Sequence, residues 1–352
     1  ADLKCRPALG QHLSVIFFDE IGDLASPENQ AALEELVERQ SAGRLICDRH
    51  PGYFSRQLAH RLAREKNLPL QEIQHHRAHV AAVCLEHGLI EETVVGLAFD
   101  GTGYGDDGTA WGGEFFVGSI ARGFERKAHF AALPLPGGDA AVLKPWRIAL
   151  ALLVERGADS SLLESWVARH HLPVQDLALF QKALCIGLAV GRSTALGRWF
   201  DAAAALLGVG TLAAFEAQPA IALQKLAEAH LANTPLPSCP FQIQPGDPIR
   251  IDFPDLARLA ESKTEDLPGL AKAFHLAVAD ATAQVAGHLA ETAGTRRVIA
   301  SGGCFLNSLL GRLVTERLSA LGLQYLKPKI LPPGDQAIAL GQIGLALLSP
   351  AD

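Results

Sequence analysis

The sequence predicts an α/β protein folded as two lobes with a cleft between them. Three observations carry that expectation. Short apolar strands alternate with amphipathic helices from the N-terminal region onward. A glycine-rich stretch, Asp100-Gly101-Thr102-Gly103-Tyr104-Gly105, joins two strand-like runs. A second glycine turn, Ser301-Gly302-Gly303, ends a strand and opens a helix, and one more helix closes the chain. The 352 residues are enough for two lobes, each with its own core.

Taken in order, residues 12–20 read as a strand. Ser26-Pro27 opens a helix with Pro at its first position; Leu33, Leu36 and Val37 form its apolar stripe, and Gly43 is expected to end it. Residues 44–48 read as a strand, His50-Pro51-Gly52-Tyr53 as a loop, and Ser55 as the cap of a helix running to about Arg64. Another short strand leads into Gln74-His75-His76-Arg77-Ala78-His79, and residues 80–87 read as helix, stopped by Gly88. Residues 94–100 and 110–120 are expected to form a hairpin around a long glycine-rich loop, with a third strand over 124–133. Residues 140–235 are rich in Ala and Leu and read as mostly helical, whereas the proline-dense stretch 234–256 reads as loop. Two helices are expected within 266–292, then a strand at 297–301, a helix over 307–321 and a short strand at 324–326. After Pro332-Pro333-Gly334, Asp335 is expected to cap a final helix reaching about Leu348.

The net charge of −7 argues against a large nucleic-acid footprint. No apolar run reaches membrane-spanning length, and no basic segment followed by an apolar one opens the chain, so neither a membrane span nor a signal peptide is expected. The six cysteines form no C-x-x-C pair and read as reduced, mostly buried thiols of a cytoplasmic protein.

The chemistry centres on His75 and His79. On a helix, residues four apart share a face, so two imidazoles stacked there make half of a divalent-metal site. A helix turn with solvated histidines is the plainer alternative. Such a site lacks a carboxylate, and Asp335, at a helix start, would supply it, although capping alone also accounts for that residue. The pair does not fit a zincin protease, because His76 stands where the general-base Glu belongs. Glycines at 101 and 103 would let backbone N–H groups approach a phosphate; an ordinary hairpin loop is the alternative, and no helix follows as a Rossmann site requires. In Gly197-Arg198-Trp199-Phe200-Asp201, Asp201 would accept ribose hydroxyls or merely sit near a helix start. Gly302 and Gly303, leading to Asn307, suit a nucleotide lying across a strand end and a helix N-terminus. Cys304 reads as a packed thiol, since nothing nearby lowers its pKa. Together these features suggest an actin-like (ASKHA) fold with the nucleotide in the interlobe cleft.

At this point the motifs resemble a known family, the TsaD-like carbamoyltransferase domain of the hydrogenase maturation proteins HypF. The marks are Asp19-Glu20-Ile21-Gly22-Asp23-Leu24, Asp48-Arg49-His50-Pro51-Gly52-Tyr53, Gln74-His75-His76-Arg77-Ala78-His79, the Asp100–Gly105 stretch with Trp111-Gly112-Gly113-Glu114, and Pro145-Trp146-Arg147. Further along come Gly197-Arg198-Trp199-Phe200-Asp201-Ala202, Ser301-Gly302-Gly303, and Leu331-Pro332-Pro333-Gly334-Asp335 with Leu340-Gly341-Gln342. The resemblance covers nearly the whole chain. It implies transfer of a carbamoyl group from carbamoyl-adenylate, itself made from ATP and carbamoyl phosphate, to the C-terminal cysteine of HypE, on the way to the cyanide ligands of [NiFe]-hydrogenase. It implies a divalent metal, iron or zinc, on His75, His79 and Asp335. It also implies a phosphate loop at Asp100, Gly101, Thr102 and Gly103, and nucleotide contacts at Gly197, Asp201, Gly302, Gly303 and Asn307. His76 and Arg77 would orient the partner's C-terminus. The implied division is lobe I over residues 1–135, its first strand apparently clipped at Ala1-Asp2-Leu3-Lys4, lobe II over 136–330, and a C-terminal helix over 331–352 returning to the cleft. No C-x-x-C motif and no extra length for a YrdC-like domain are visible, which leaves two readings: this chain makes its own carbamoyl-adenylate, or it receives it from a YrdC-like domain or protein. Gly191-Arg192-Ser193-Thr194-Ala195-Leu196 departs from the Thr-Ser-Ser lead-in of the pattern. Transfer of carbamoyl to an antibiotic hydroxyl, transfer of threonylcarbamoyl to tRNA, and a nucleotide-binding scaffold subunit are the competing readings.

Overall fold

The computed structural model describes residues 4–11, 14–172, 174–186, 190–231, 233–262 and 267–348. Its main sheet grows from strand Val94–Tyr104, which is buried from Val94 to Asp100. A near-continuous apolar run of this kind belongs to a strand covered on both faces. It pairs antiparallel with Ala110–Ser119 and parallel with Arg297–Ser301. The strand order is Gln242–Gln244, Ile249–Asp252, Gly123–Phe130, Ala110–Ser119, Val94–Tyr104, Arg297–Ser301, Gln324–Leu326. Leu133–Pro136 and Val190–Ser193 complete the nine strands at its side.

Alternation along the central strand divides the core in two. Val95, Leu97 and Phe99 face a large cluster with Trp199, Phe200, Phe274 and Leu310, drawn from helices Leu196–Leu206, Leu267–Thr292 and Ser308–Ala320. Val94 and Ala98 face Val80 and Val83 of helix His75–Glu86 and Ile338 and Leu345 of helix Ile338–Leu348. The two helices touch closely: a Cβ at Gly341 would lie 1.8 Å from the Ala78 carbonyl oxygen. Two small pairs stand apart from the main sheet, Ala8–Gln11 antiparallel to Ser14–Phe17 and Leu45–Asp48 parallel to Leu70–Ile73.

Several elements depart from the sequence expectation. The strand read over 12–20 is Ser14–Phe17, residues 12 and 13 lying outside the described residues. Helix Pro27–Glu38 stops at Arg39, before Gly43, and helix Phe54–Lys66 starts from Tyr53, so Ser55 lies in its first turn. The glycine-rich stretch is mostly strand: Val94–Tyr104 continues through it, with a register shift between Phe99 and Gly103. Residues 267–292 form one helix, not two, because no breaker interrupts their alanine-rich run. Strands Val190–Ser193, Gln242–Gln244 and Ile249–Asp252 appear where helix or loop was expected. The main sheet also runs across residue 135, since strands on both sides of that position belong to it.

Candidate metal and nucleotide centre

Gln74 sets the start of the histidine helix, its side-chain oxygen accepting from the Arg77 N–H. That fixes His75 and His79 one turn apart on a buried face, and both are almost wholly enclosed. Their Nε2 atoms point at two carboxylates. Asp100 Oδ2 lies 3.0 Å from His79 Nε2 and 3.5 Å from His75 Nε2. Asp335 Oδ1 lies 3.5 Å from His79 Nε2 and 3.7 Å from His75 Nε2. One donor atom from each of these four residues lies within 4.8 Å of all the others.

The far side of each ring is held. His75 Nδ1 lies 2.8 Å from Asp48 Oδ2, and His79 Nδ1 lies 3.2 Å from Ser301 Oγ. Such partners orient metal-binding imidazoles and fix which nitrogen is offered. Burial disfavours charge on His75, but Asp100 and Asp48 outweigh it and raise the imidazole to about 10. Asp48 is also penalised by burial, yet its bond with His75 lowers it to about 2. Burial opposes charge on His79 and Asp100 too; their mutual contact raises the imidazole and drives the Asp100 carboxyl well down. His75 Nε2 is buried and makes no hydrogen bond among the described residues. An orphaned nitrogen facing two carboxylates, with its partner nitrogen already tied, is a donor set that fits a divalent cation.

Sequence reasoning offered Asp335 both as a helix cap and as the carboxylate of the histidine pair; it lies in the turn Asp335–Ala337 with its Oδ1 facing both histidine Nε2 atoms. Asp100 was assigned to the phosphate loop. Its Oδ2 joins the histidine group, while Oδ1 accepts from the N–H groups of Gly101 and Gly303 at 2.8 and 3.3 Å. The same carboxylate therefore ties the first glycine stretch to the diglycine turn. Gly302 has φ +103, and a Cβ there would meet the Phe99 carbonyl oxygen at 2.2 Å, so only glycine fits. Gly197 lies against Gly101, a Cβ at 197 falling 2.9 Å from the Gly101 Cα. Gly103 packs against the rings of His75 and His76, and Thr102 is exposed.

Asp201 is buried and ion-paired with Arg198 Nη2 at 2.9 Å, though its Oδ2 makes no hydrogen bond among the described residues; burial raises its carboxyl, against the pull of Arg198. Arg198 Nε and Nη1 are buried without a hydrogen-bond partner among the described residues. The Asn307 side chain caps helix Ser308–Ala320 through Leu310 N and reaches His275 Nε2 at 3.1 Å, so both its polar atoms already have protein partners. Cys304 agrees with a packed thiol, burial holding its pKa well above the ordinary value. His76 and Arg77 do not suit a partner's terminus: His76 is fully buried, and Arg77 is tied to Asp106 and to the Phe124 carbonyl.

Sequence reasoning gave no role to Asp48 or Ser301 as orienters of the two histidines. Asp48 sits in a quoted motif, but only the tertiary approach of its strand to His75 reveals its task. Glu114 was missed in the same way. Wholly buried, it accepts from Gly112 N, Gly113 N, Arg126 Nε and the Thr194 hydroxyl, binding two strands and the Thr194 segment together.

Comparison with known proteins now bears on this geometry. Residues 96–342 match the family model described as "Carbamoyltransferase, Kae1-like Domain, second subdomain", and residues 1–86 match "HypF Kae1-like domain". A carbamoyltransferase HypF homolog of Cupriavidus necator is 38% identical, over 99% of this chain and 90% of that protein. Carbamoyltransferase HypF of Synechocystis is 32% identical, over 97% of this chain but 45% of that protein. The crystal structure of full-length HypF in its phosphate- and nucleotide-bound form superposes with TM-score 0.87 at 31% identity, covering 97% of this chain and 45% of that one. The HypF structure from T. kodakarensis gives the same TM-score at 28% identity, with 99% of this chain and 47% of that one covered. These matches place the chain among carbamoyltransferases with a Kae1-like domain. The chain belongs to the HypF family, spanning most of one relative and less than half of the longer ones.

Proposed function

We propose that this chain transfers a carbamoyl group from carbamoyl-adenylate to the C-terminal cysteine thiolate of HypE. The observation that carries the reading is the convergence of His75, His79, Asp100 and Asp335 beside the glycine stretch and the diglycine turn. A related full-length HypF structure is described as phosphate- and nucleotide-bound, which supports a nucleotide as ligand.

His75, His79 and Asp335, joined by Asp100, would hold a divalent metal, iron or zinc; when bound it supplies Lewis acidity to a carbonyl or phosphoryl oxygen. The chain's own residues do the rest. Gly101 would leave the backbone open to the phosphate, Gly103 lets the strand pass against the rings of His75 and His76, and Gly197 lets the helix start come close to Gly101. Asp201, buried against Arg198, would accept the ribose hydroxyls, with Arg198 a fixed positive charge beside Gly101. The burial around His75 and His79 keeps water from the activated carbonyl carbon. The acceptor thiolate attacks that carbon and AMP leaves, so no nucleophile from this chain is needed, in keeping with the raised pKa of Cys304. The adenylate would come from a YrdC-like domain or protein, a division consistent with the greater length of most HypF relatives.

The test is transfer by the purified chain from carbamoyl-adenylate to a peptide bearing the HypE C-terminus, read by mass spectrometry. Transfer that disappears in His79→Ala, with the circular dichroism spectrum retained, supports the reading. A wild-type chain that binds metal and nucleotide yet transfers nothing would refute it.

A further inference from the structure

Helix His75–Glu86 carries the two candidate metal histidines in its first two turns and Glu86 at its last position. At about 100° per residue, His75, His79 and Glu86 fall within about 40° of one another, so one face of the helix bears all three. A carboxylate at a helix C-terminus sits at the negative end of the dipole, which disfavours it. Three hydrogen bonds offset that. Glu86 Oε2 accepts from the N–H groups of Lys329 and Ile330, the latter at 3.1 Å, and Oε1 accepts from the N–H of Leu331 at 2.9 Å. These are the last backbone donors before Pro332 and Pro333, which have none. His87 Nε2 adds a bond to the Lys327 carbonyl at 2.9 Å.

The captured segment then runs back along the same helix to the candidate centre, and two of its groups arrive there. The Pro333 carbonyl accepts from the Gly302 N–H at 2.7 Å and from the Ser301 hydroxyl at 3.1 Å. That hydroxyl has one proton. Having given it to Pro333, it accepts from His79 Nδ1, and His79 Nε2 is left to face the carboxylates. Two residues on, Asp335 Oδ1 faces the Nε2 atoms of both histidines. The run has little slack. From His79 to Glu86 is about 10 Å of helix. From Leu331 to Asp335 the chain reaches at most about 14 Å fully extended, and two of its residues are prolines with fixed φ.

We infer that Glu86, which bonds to none of the four donor residues, is a positioning residue of the candidate metal centre. Its carboxylate sets the register of residues 329–335. It thereby fixes where Asp335 meets the histidines and which nitrogen His79 offers. The inference rests on the metal part of the proposed function and is independent of the carbamoyl acceptor.

The experiment uses cobalt(II) as the probe on the full chain. Affinity and visible spectrum are read alongside the melting temperature and hydrogen exchange at the Gly302 amide. Glu86→Gln keeps the shape of the side chain but sets an NH2 group against backbone N–H donors. A second variant inserts one glycine between Leu331 and Pro332, leaving Glu86 intact and giving the segment about 3.5 Å of slack. Both are expected to weaken cobalt binding about tenfold or more, to shift the spectrum toward that of Asp335→Ala, and to speed exchange at Gly302, whose acceptor is Pro333. Added to Asp335→Ala, Glu86→Gln is expected to cost little more, because it acts through that residue. Wild-type cobalt affinity and spectrum in Glu86→Gln, whatever its melting temperature, would overturn the inference, and so would losses that simply add in the double variant. A wild-type chain that binds no cobalt would overturn the metal reading and this inference with it; Gly302 exchange would still report whether Glu86 holds the segment.

Discussion

His75 keeps its orientation because Asp48 holds its Nδ1, and the consequence is measurable. Asp48→Asn should leave the fold intact and lower metal affinity roughly 10–100-fold, as loss of an orienting partner usually does; competition titration with a chelating dye checks it. An unchanged affinity would make the contact incidental. A second residue-scale prediction concerns His275, buried beneath Asn307 and Phe200. Burial, against its bond to the Ala271 carbonyl, lowers its pKa to about 4 from the ordinary 6.5. The folded state therefore favours the neutral ring. That stabilisation is full above about pH 6.5 and is lost as pH falls toward 4, on the order of 3 kcal/mol in all. Urea unfolding of wild type and His275→Gln at pH 7 and pH 4.5 should show the larger drop in wild type. At this scale the His75–His79 pair was legible from its spacing, whereas Asp335 joined it through the family resemblance, since capping alone accounted for it. Asp48 and Ser301 were not, because they touch the histidines only through folds of the chain remote in sequence.

Among the elements, the pairing of the histidine helix with the final helix sets where Asp335 sits. Gly341 allows that contact, since any Cβ would strike the Ala78 carbonyl. Gly341→Leu should force the helices apart, destabilise the chain by roughly 1–3 kcal/mol, and lower metal affinity by displacing Asp335. Denaturant unfolding together with metal titration tests both parts. Strands 297–301 and 324–326 were read to the residue, because apolar runs there end at glycine or proline. The edge strand Gln242–Gln244 and its neighbour Ile249–Asp252 were hidden by their shortness and proline-rich surroundings, where pairing rather than local preference decides. The glycine stretch misled for the opposite reason: glycine marks a loop by habit, yet here its lack of a side chain lets a strand pass beneath two histidine rings.

For the whole molecule, metal and nucleotide are expected to act on one cleft, because Asp100 reaches the histidines with one oxygen and the two glycine segments with the other. Adding a divalent metal should therefore tighten AMP binding, and AMP should tighten metal binding by the same factor. Calorimetry in both orders measures it, and independent affinities would place the two ligands apart. The α/β class was visible in the sequence, because alternating strands and helices announce themselves. The two isolated strand pairs were not, since pairing between distant segments leaves no local mark.

The candidate donors come from both ends of the polypeptide: His75, His79 and Asp100 from the first third, Asp335 from the last turn before the final helix. During synthesis, the early three emerge long before the fourth. A nascent or prematurely terminated chain therefore holds histidines and one aspartate without their fourth companion. Stable metal loading becomes a signature of a polypeptide translated through residue 335, and pulse-labelled ribosome-bound chains should stay metal-free until that residue has left the exit tunnel.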